Sequence, residues 1–401
     1  MLKSVAVRAL VALLAATLAG PAAADLPGEV SHSAMAGSTL MPTTAQFNSW
    51  THWIVKHDNF VELNVGDSPF FGPAKIGNEG GQATLHWKYS DDNHLLFRVR
   101  QHDLGGQNIN FLTGGTLGEP MLSPASLIDL ISVADYNAYA HGQMLNLAWA
   151  RPSGDGAFSI GVLFGNAGYK EENGSEYNDK SSAFGGQVTW GNGGGLDLAG
   201  SFYSESATEG PSDTENESNF THFDLAARIE SGNGWIYQLG GIMGSGSIEP
   251  DGVGKADVSL MGVTGNLGQH LYEATDGGVT TEFYVNYMSL KFEQGDAEET
   301  MSAFVVPGTR VACWAKLSNK FRLMAGANAY WMTDKEKVSV AGAENTESER
   351  GMTFGYAGGL AFVPNDRVRI EAELDMDELN RLLSLGNDTP LLMRVGGTVT
   401  F

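Results

Sequence analysis

Cysteine occurs once in the 401 residues, at Cys313. A lone thiol excludes an internal disulfide framework and any cysteine-rich metal site. Proline is sparse, at 13 residues against 52 glycines, which speaks against collagen and proline-rich disorder. Bases are in deficit: 24 Lys and Arg face 47 Asp and Glu, a net charge of −23. Nucleic acid and anionic headgroups are poor default partners for such a surface. Beyond the leader, no apolar run approaches 18 residues, so no membrane-spanning helix is expected. No histidine spacing fits a metal site, no nucleophile sits in a recognisable catalytic frame, and neither cofactor nor enzymatic activity is expected.

The first 24 residues read as an export signal. Lys3 and Arg8 form a basic start, Ala9–Gly20 is a short apolar stretch, and Ala22-Ala23-Ala24 offers small residues for cleavage before Asp25. Removing this segment leaves 22 bases against 47 acids, a net of −25. Residues 25–53 look irregular and are expected to lie in the periplasm or to plug a lumen.

From residue 54 to 401 the dominant signal is alternation of apolar and polar residues, the period of a half-buried strand. In Gln82–Ser90, Ala83, Leu85, Trp87 and Tyr89 alternate with Thr84, His86, Lys88 and Ser90. His94–Gln101 returns the pattern with Leu95, Phe97 and Val99. Same-face pairing predicts a three-residue loop, Asp91-Asp92-Asn93, with Trp87 opposite Phe97 and His86 opposite Arg98. Comparable hairpins recur to the end, giving about 16 strands (14–16), the first over about Ile54–Val65. Val258–Leu267 breaks phase, which predicts a bulge there. Tight turns alternate with longer polar connections, including Gly105–Ala138, Lys170–Lys180, Ser206–Asn219, Gln294–Met301, Lys335–Arg350 and Asn380–Pro390. Trp87, Trp149, Trp190, Trp235, Phe321 and Phe362 all adjoin short turns, as an interfacial aromatic girdle would. A soluble β-sandwich would also bury an alternating face, but the strands are long for one.

The last nine residues, Met393 to Phe401, alternate strictly and end on an aromatic. With the export signal, this resembles the bacterial outer-membrane β-barrel class, whose final strand typically ends in Phe. The resemblance covers nearly the whole mature chain. It implies an all-β, closed antiparallel transmembrane barrel, with short periplasmic turns, long extracellular loops, an apolar face toward lipid and a polar face toward the lumen. It also implies residence in the outer membrane, Phe401 as an assembly signal read by the barrel-assembly machinery, contact with lipid and lipopolysaccharide, and possible homo-oligomers.

The inward face then carries His86, Lys88, Arg98, Arg100, Arg228, Arg310, Arg322, Arg369, Glu371, Glu373 and Arg394 as candidates for ion or solute selection. His86, Lys88, Arg98 and Arg100 concentrate basic groups on one hairpin. Gly105–Ala138, the longest connection, could fold inward as a constriction. The expected function is a porin-like channel for small polar solutes or ions. The alternatives are a hydrophobic-solute transporter of the fatty-acid type with an N-terminal hatch, and a structural or adhesive barrel.

Overall fold

The computed structural model describes residues 27–28, 31, 34–36, 38–40, 43–66, 81–103, 141–172, 176–211, 216–249, 254–341, 343–374 and 392–401. The export signal, the Gly105–Ala138 constriction and the Asn380–Pro390 connection lie outside the described residues.

Sixteen strands pair antiparallel into one closed barrel, each with its sequence neighbours, and the last closes on the first. They are β1 (Phe60–Gly66), β2 (Gly81–Ser90), β3 (Asn93–Asp103), β4 (His141–Ser153), β5 (Gly156–Glu172), β6 (Glu176–Gly191), β7 (Leu196–Pro211) and β8 (Asn216–Glu230). The circuit continues through β9 (Trp235–Glu249), β10 (Ala256–Ala274), β11 (Gly277–Gln294), β12 (Ala297–Lys316), β13 (Phe321–Val340), β14 (Ala343–Asn365), β15 (Val368–Leu374) and β16 (Leu392–Thr400). Closure satisfies the edge hydrogen bonds that an open sheet would leave bare in hydrocarbon. At the seam, Phe60 lies opposite Thr400, and the Phe401 N–H donates to Asn59 O at 2.9 Å.

The faces follow the alternation. Outward Ile160, Leu225 and Leu323 are 49%, 70% and 42% exposed, while inward Thr84, Asn146 and Thr189 are buried. In a soluble protein the apolar set would be the buried one, so this inversion marks a lipid-facing exterior. Cys313 falls on the outward face with Val311. Aromatic rings gather outside the short turns: Trp149 and Phe158 are 5.3 Å apart between centroids, Phe321 and Phe362 5.1 Å.

Four local expectations need correction. The first strand begins at Phe60, not Ile54, because Thr51–Lys56 is a 3₁₀ helix that buries Ile54. In the first hairpin Phe97 lies opposite Leu85 and Arg98 opposite Thr84. A bulge at Tyr89 and a two-residue turn, Asp91-Asp92, replace the three-residue loop. The slip is two residues, so no side chain changes face. The bulge of β10 sits at Leu271, between His270 and Tyr272, and Val258–Leu267 keeps regular pairing. Its broken pattern arises because Val258 and Leu260 face inward while Met261 and Val263 face lipid. Finally, Lys170–Lys180, Ser206–Asn219, Gln294–Met301 and Lys335–Arg350 are mostly strand, the last two closed by the short turns Gln294–Ala297 and Val340–Ala343. Strands β12, β13 and β14 have 20, 20 and 23 residues. A membrane crossing needs about 9–11, so this side of the wall rises well past the bilayer. Beyond it both faces meet water, which is why alternation gives way to a fully polar pattern that reads as a loop.

Candidate functional site: a hatch inside the lumen

The described residues between Gly28 and Lys56 run inside the barrel near its short-turn end. This stretch carries one charged residue, Glu29, before Lys56 and is rich in Ser and Thr. Its two 3₁₀ helices, Thr44–Asn48 and Thr51–Lys56, supply apolar anchors. Phe47 and Ile54 pack with Phe60, Leu96, Ala148 and Ala150 on β1, β3 and β4. Ala34 and Met35 pack with Ala312, Met324 and Ala361 on β12, β13 and β14. At Gly326 a Cβ would lie 2.3 Å from the Met35 carbonyl carbon, so only glycine admits the hatch backbone this close to β13.

Polar anchors stand four strands apart, at quarter turns of the 16-strand circuit. On β15, Glu371 accepts the N–H groups of Gly28 (2.9 Å) and Ser31 (3.0 Å) and the Ser31 hydroxyl (2.6 Å). On β11, Glu282 accepts the hydroxyls of Ser38 (2.5 Å) and Thr39 (2.7 Å), the Thr39 N–H, and the Asn266 amide (2.9 Å). On β7, Asp197 bonds to His52 Nε2 at 2.9 Å. On β3, Arg98 donates to the Thr44 carbonyl at 3.4 Å. On β6, Gln187 accepts the Thr51 hydroxyl at 2.8 Å, and Thr189 accepts the His52 N–H at 3.0 Å.

Each carboxylate anchor also has an arginine. Arg369 bonds Glu371, Arg310 lies 3.4 Å from Glu282, and Arg228 lies 3.3 Å from Asp197 with its guanidinium over the Trp53 ring. Lone buried carboxylates would carry a large desolvation cost, which the arginine and the hatch donors offset together. The wall is in effect three acid–arginine pairs turned toward hatch donors.

The structure therefore gathers Arg98, Arg228, Arg310, Arg369 and Glu371 around the hatch, with Glu373 buried two residues along β15. His86 is buried against His94 and the Asp58 carbonyl. Lys88 stands at the rim, exposed, 3.2 Å from Asp91. Arg322 lies half-buried over the Trp314 ring. Arg100 is opposite Gln82, and Arg394 opposite Gly66 and Glu373, by backbone register. The hairpin bearing His86, Lys88 and Arg98 thus faces the hatch and its hinge. Sequence reasoning missed the hatch partners His52, Ser31, Ser38, Thr39 and Gln187. The signal available was the near absence of charge from Gly28 to Val55 in a chain 18% charged.

Beyond the hatch the lumen wall changes character. Phe220, Ile242, Val258, Leu260, Met288 and Leu290 form one inward apolar patch across β8 to β11. Met288 and Leu290 follow Glu282 along β11 by six and eight residues, which puts the patch on the long-loop side of the hatch. Between the hatch and β1, His57 has its pKa lowered to about 4, first by burial and then by Lys56, with Asp58 opposing. Among the described residues no group of three His, Cys, Asp or Glu is disposed to hold a metal ion.

No family model and no curated protein matches the chain. Solved structures of barrel proteins do align. The siderophore receptor PirA of Pseudomonas aeruginosa is 6% identical over 86% of this chain and 80% of its own, with a TM-score of 0.34. A bacterial polysaccharide outer membrane secretin is 8% identical over 86% and 98%, with a TM-score of 0.39. The β domain of the Bordetella autotransporter BrkA is 11% identical over 75% and 97%, with a TM-score of 0.29. At these scores the barrel assignment rests on the chain's own strand pairing.

Proposed function

We propose that this chain is an outer-membrane transport barrel closed by its own N-terminal segment, and that solute passes only when the hatch shifts. One observation carries the reading: the charged wall residues are dry. Arg98 is 0% exposed, and Glu282, Arg310 and Glu371 are 1% exposed. A constitutively open porin would leave such groups in water. Here hatch groups meet the three carboxylates, and Arg98 donates to the hatch carbonyl of Thr44. A passive path for polar solutes along the acid–arginine wall is then the state reached after hatch movement. Transport of a hydrophobic solute is the second reading, favoured by the apolar patch beyond the hatch. Lipid and lipopolysaccharide around the wall, assembly-machinery recognition of Phe401 and a homo-oligomeric state belong to the same reading.

The hatch can be locked to test this. Ser38 Oγ and Thr280 Oγ1 are 3.3 Å apart. Cysteines at both positions, in a Cys313→Ala background, should form a disulfide that abolishes channel openings in a planar bilayer and restores them on reduction. Equal conductance in the oxidised and reduced states would refute a moving hatch.

A further inference from the structure

We propose that the lumen wall beyond the hatch holds a binding site, centred on Asp224, for an apolar ammonium: a primary amine carried on an aromatic or alkyl body. The proposal rests on the hydrophobic-solute reading above and names that solute's class. Asp224 precedes Arg228 by four residues along β8, which places it past the Asp197 anchor toward the long loops. It is 5% exposed, and its Oδ2 accepts the Ser201 hydroxyl at 2.8 Å. His222, 0% exposed, brings Nε2 to 3.3 Å from the same oxygen. Asp224 Oδ1 and His222 Nδ1 are buried with no hydrogen-bond partner among the described residues.

Charge sets Asp224 apart from the carboxylates that hold the hatch. Asp197, Glu282 and Glu371 each face an arginine. Among the described residues no lysine or arginine pairs with Asp224. A buried carboxylate without a cation carries a heavy desolvation cost, so the missing partner comes from outside the chain. A water would fill the open hydrogen bond and leave the charge unbalanced. His222 narrows the choice of cation. In its neutral form the proton sits on Nε2, because a lone pair there would face the carboxylate, and Nδ1 is then an acceptor. Both open atoms accept, and a primary ammonium brings three donors. The charged form of His222 would balance Asp224 but leave its Nδ1–H buried without an acceptor. A carboxylate ligand, such as a fatty acid, would meet Asp224 as a like charge.

The surroundings fit the body of such a ligand as well as its head. Ile242 stands opposite Asp224 and belongs to the inward apolar patch that also holds Leu260 and Leu290. The Tyr203 and Phe220 rings lie 5.3 and 6.2 Å from the His222 ring. Aromatic faces favour a cation and an apolar body alike. The approach from the long-loop side is acidic. Leu290 lies opposite Met301, and Met301 opposite Glu336, so the patch runs into an inward row of acids. There Glu336 stands opposite Glu347, and Asp334 opposite Glu349. None of these four meets a base among the described residues, whereas the outward Glu298 and Glu344 pair with Lys291 and Lys337. Like charges set face to face draw a cation toward the patch and turn an anion away.

The test is calorimetry of phenethylammonium binding to the full-length protein in nanodiscs, beside phenethyl alcohol and hydrocinnamate, with empty nanodiscs as the partition background. Only the ammonium should bind saturably. Asp224→Asn should keep the heat-modifiable barrel and weaken binding roughly tenfold to a hundredfold, the loss of one charge-assisted hydrogen bond. No ammonium binding, equal binding of the alcohol or the carboxylate, or unchanged affinity in an intact Asp224→Asn barrel would overturn the site. If that variant forms no barrel, methyl NMR of the unaltered protein decides. The phenethylammonium ring protons should cross-relax with the Ile242 methyls, and contacts confined to other residues would overturn the proposal. Planar bilayers with phenethylammonium chloride as the only salt separate binding from passage. Saturable binding without an ammonium-carried current would support the site and refute transport. A current without saturable binding would refute the site.

Discussion

Removing Glu282 should free the hatch. Its carboxylate accepts three donors from the hatch, namely the Ser38 hydroxyl, the Thr39 N–H and the Thr39 hydroxyl. It also holds Asn266 and lies 3.4 Å from Arg310, itself 1% exposed. In Glu282→Ala the closed state keeps a buried guanidinium without its carboxylate. Breaking a buried pair in this way costs about 3–5 kcal/mol. Summing three charge-assisted hydrogen bonds would give more, but such terms are not additive when they share one acceptor. Once the hatch has left, Arg310 is hydrated and the penalty disappears, so the loss falls on the closed state. At about 1.4 kcal/mol per factor of ten, the open-to-closed ratio should rise by roughly two to three and a half orders of magnitude. The assay is open probability in a planar bilayer, paired with protease sensitivity of residues 43–56. Removing both partners in Glu282→Leu/Arg310→Met should recover part of the closure, because no guanidinium is then buried without its carboxylate, while the three hatch donors still lack their acceptor. If Glu282→Ala leaves open probability and protection unchanged, the anchor reasoning is wrong. If the double variant opens as much as the single one, the buried-charge argument is wrong.

Three further outcomes follow from the same geometry. Leu225→Arg puts a charge on the lipid face and should cost on the order of 2–4 kcal/mol in refolding near the bilayer midplane, whereas Ala226→Arg on the inward face should cost far less; equal losses would mean the faces are misassigned. Because burial holds the His57 pKa near 4, below its ordinary 6.5, folding favours its neutral form; the stability this withholds grows as pH falls from 6.5 toward 4. Hydrogen exchange across residues 43–59 should therefore quicken over that window and flatten in His57→Gln, and an unchanged slope in the variant would refute the assignment. In a hatch-free barrel, Arg98→Glu/Arg100→Glu should move the reversal potential in a salt gradient toward cation preference, most at low salt, since the charges act within about 8–10 Å at physiological ionic strength; no shift would mean these arginines do not border the ion path.

The barrel was legible because its signal is local and repeated. Trp87, Tyr89, Leu225 and Leu323 fall on the apolar phase of their strands, and one phase decides a whole strand's orientation. The hairpin register was not legible at Tyr89, since a two-residue turn with a bulge and a three-residue loop preserve the same faces. The tall hairpin of β13 and β14 was hidden for a different reason. Residues such as Lys335, Glu336 and Glu347 stand in a strand with water on both sides, where nothing enforces alternation. The inward charges were readable as inward, but not their partners. Arg98 meeting the Thr44 carbonyl, and Glu371 meeting Gly28, are contacts between segments far apart in sequence, and an arginine in a wet pore and one against a hatch have the same local pattern. What did carry information is the hydroxyl-rich run from Gly28 to Val55, whose one charged residue is Glu29. Its composition suits burial against charged walls, with one side supplying donors and the other carboxylates.

The most direct measurement is single-channel conductance of the full-length protein beside a variant lacking residues 28–56, both in planar bilayers under identical salt. The account predicts a silent or rarely opening full-length barrel and a steadily conducting hatch-free one. Steady conductance from the full-length protein, equal to that of the deletion, would contradict it.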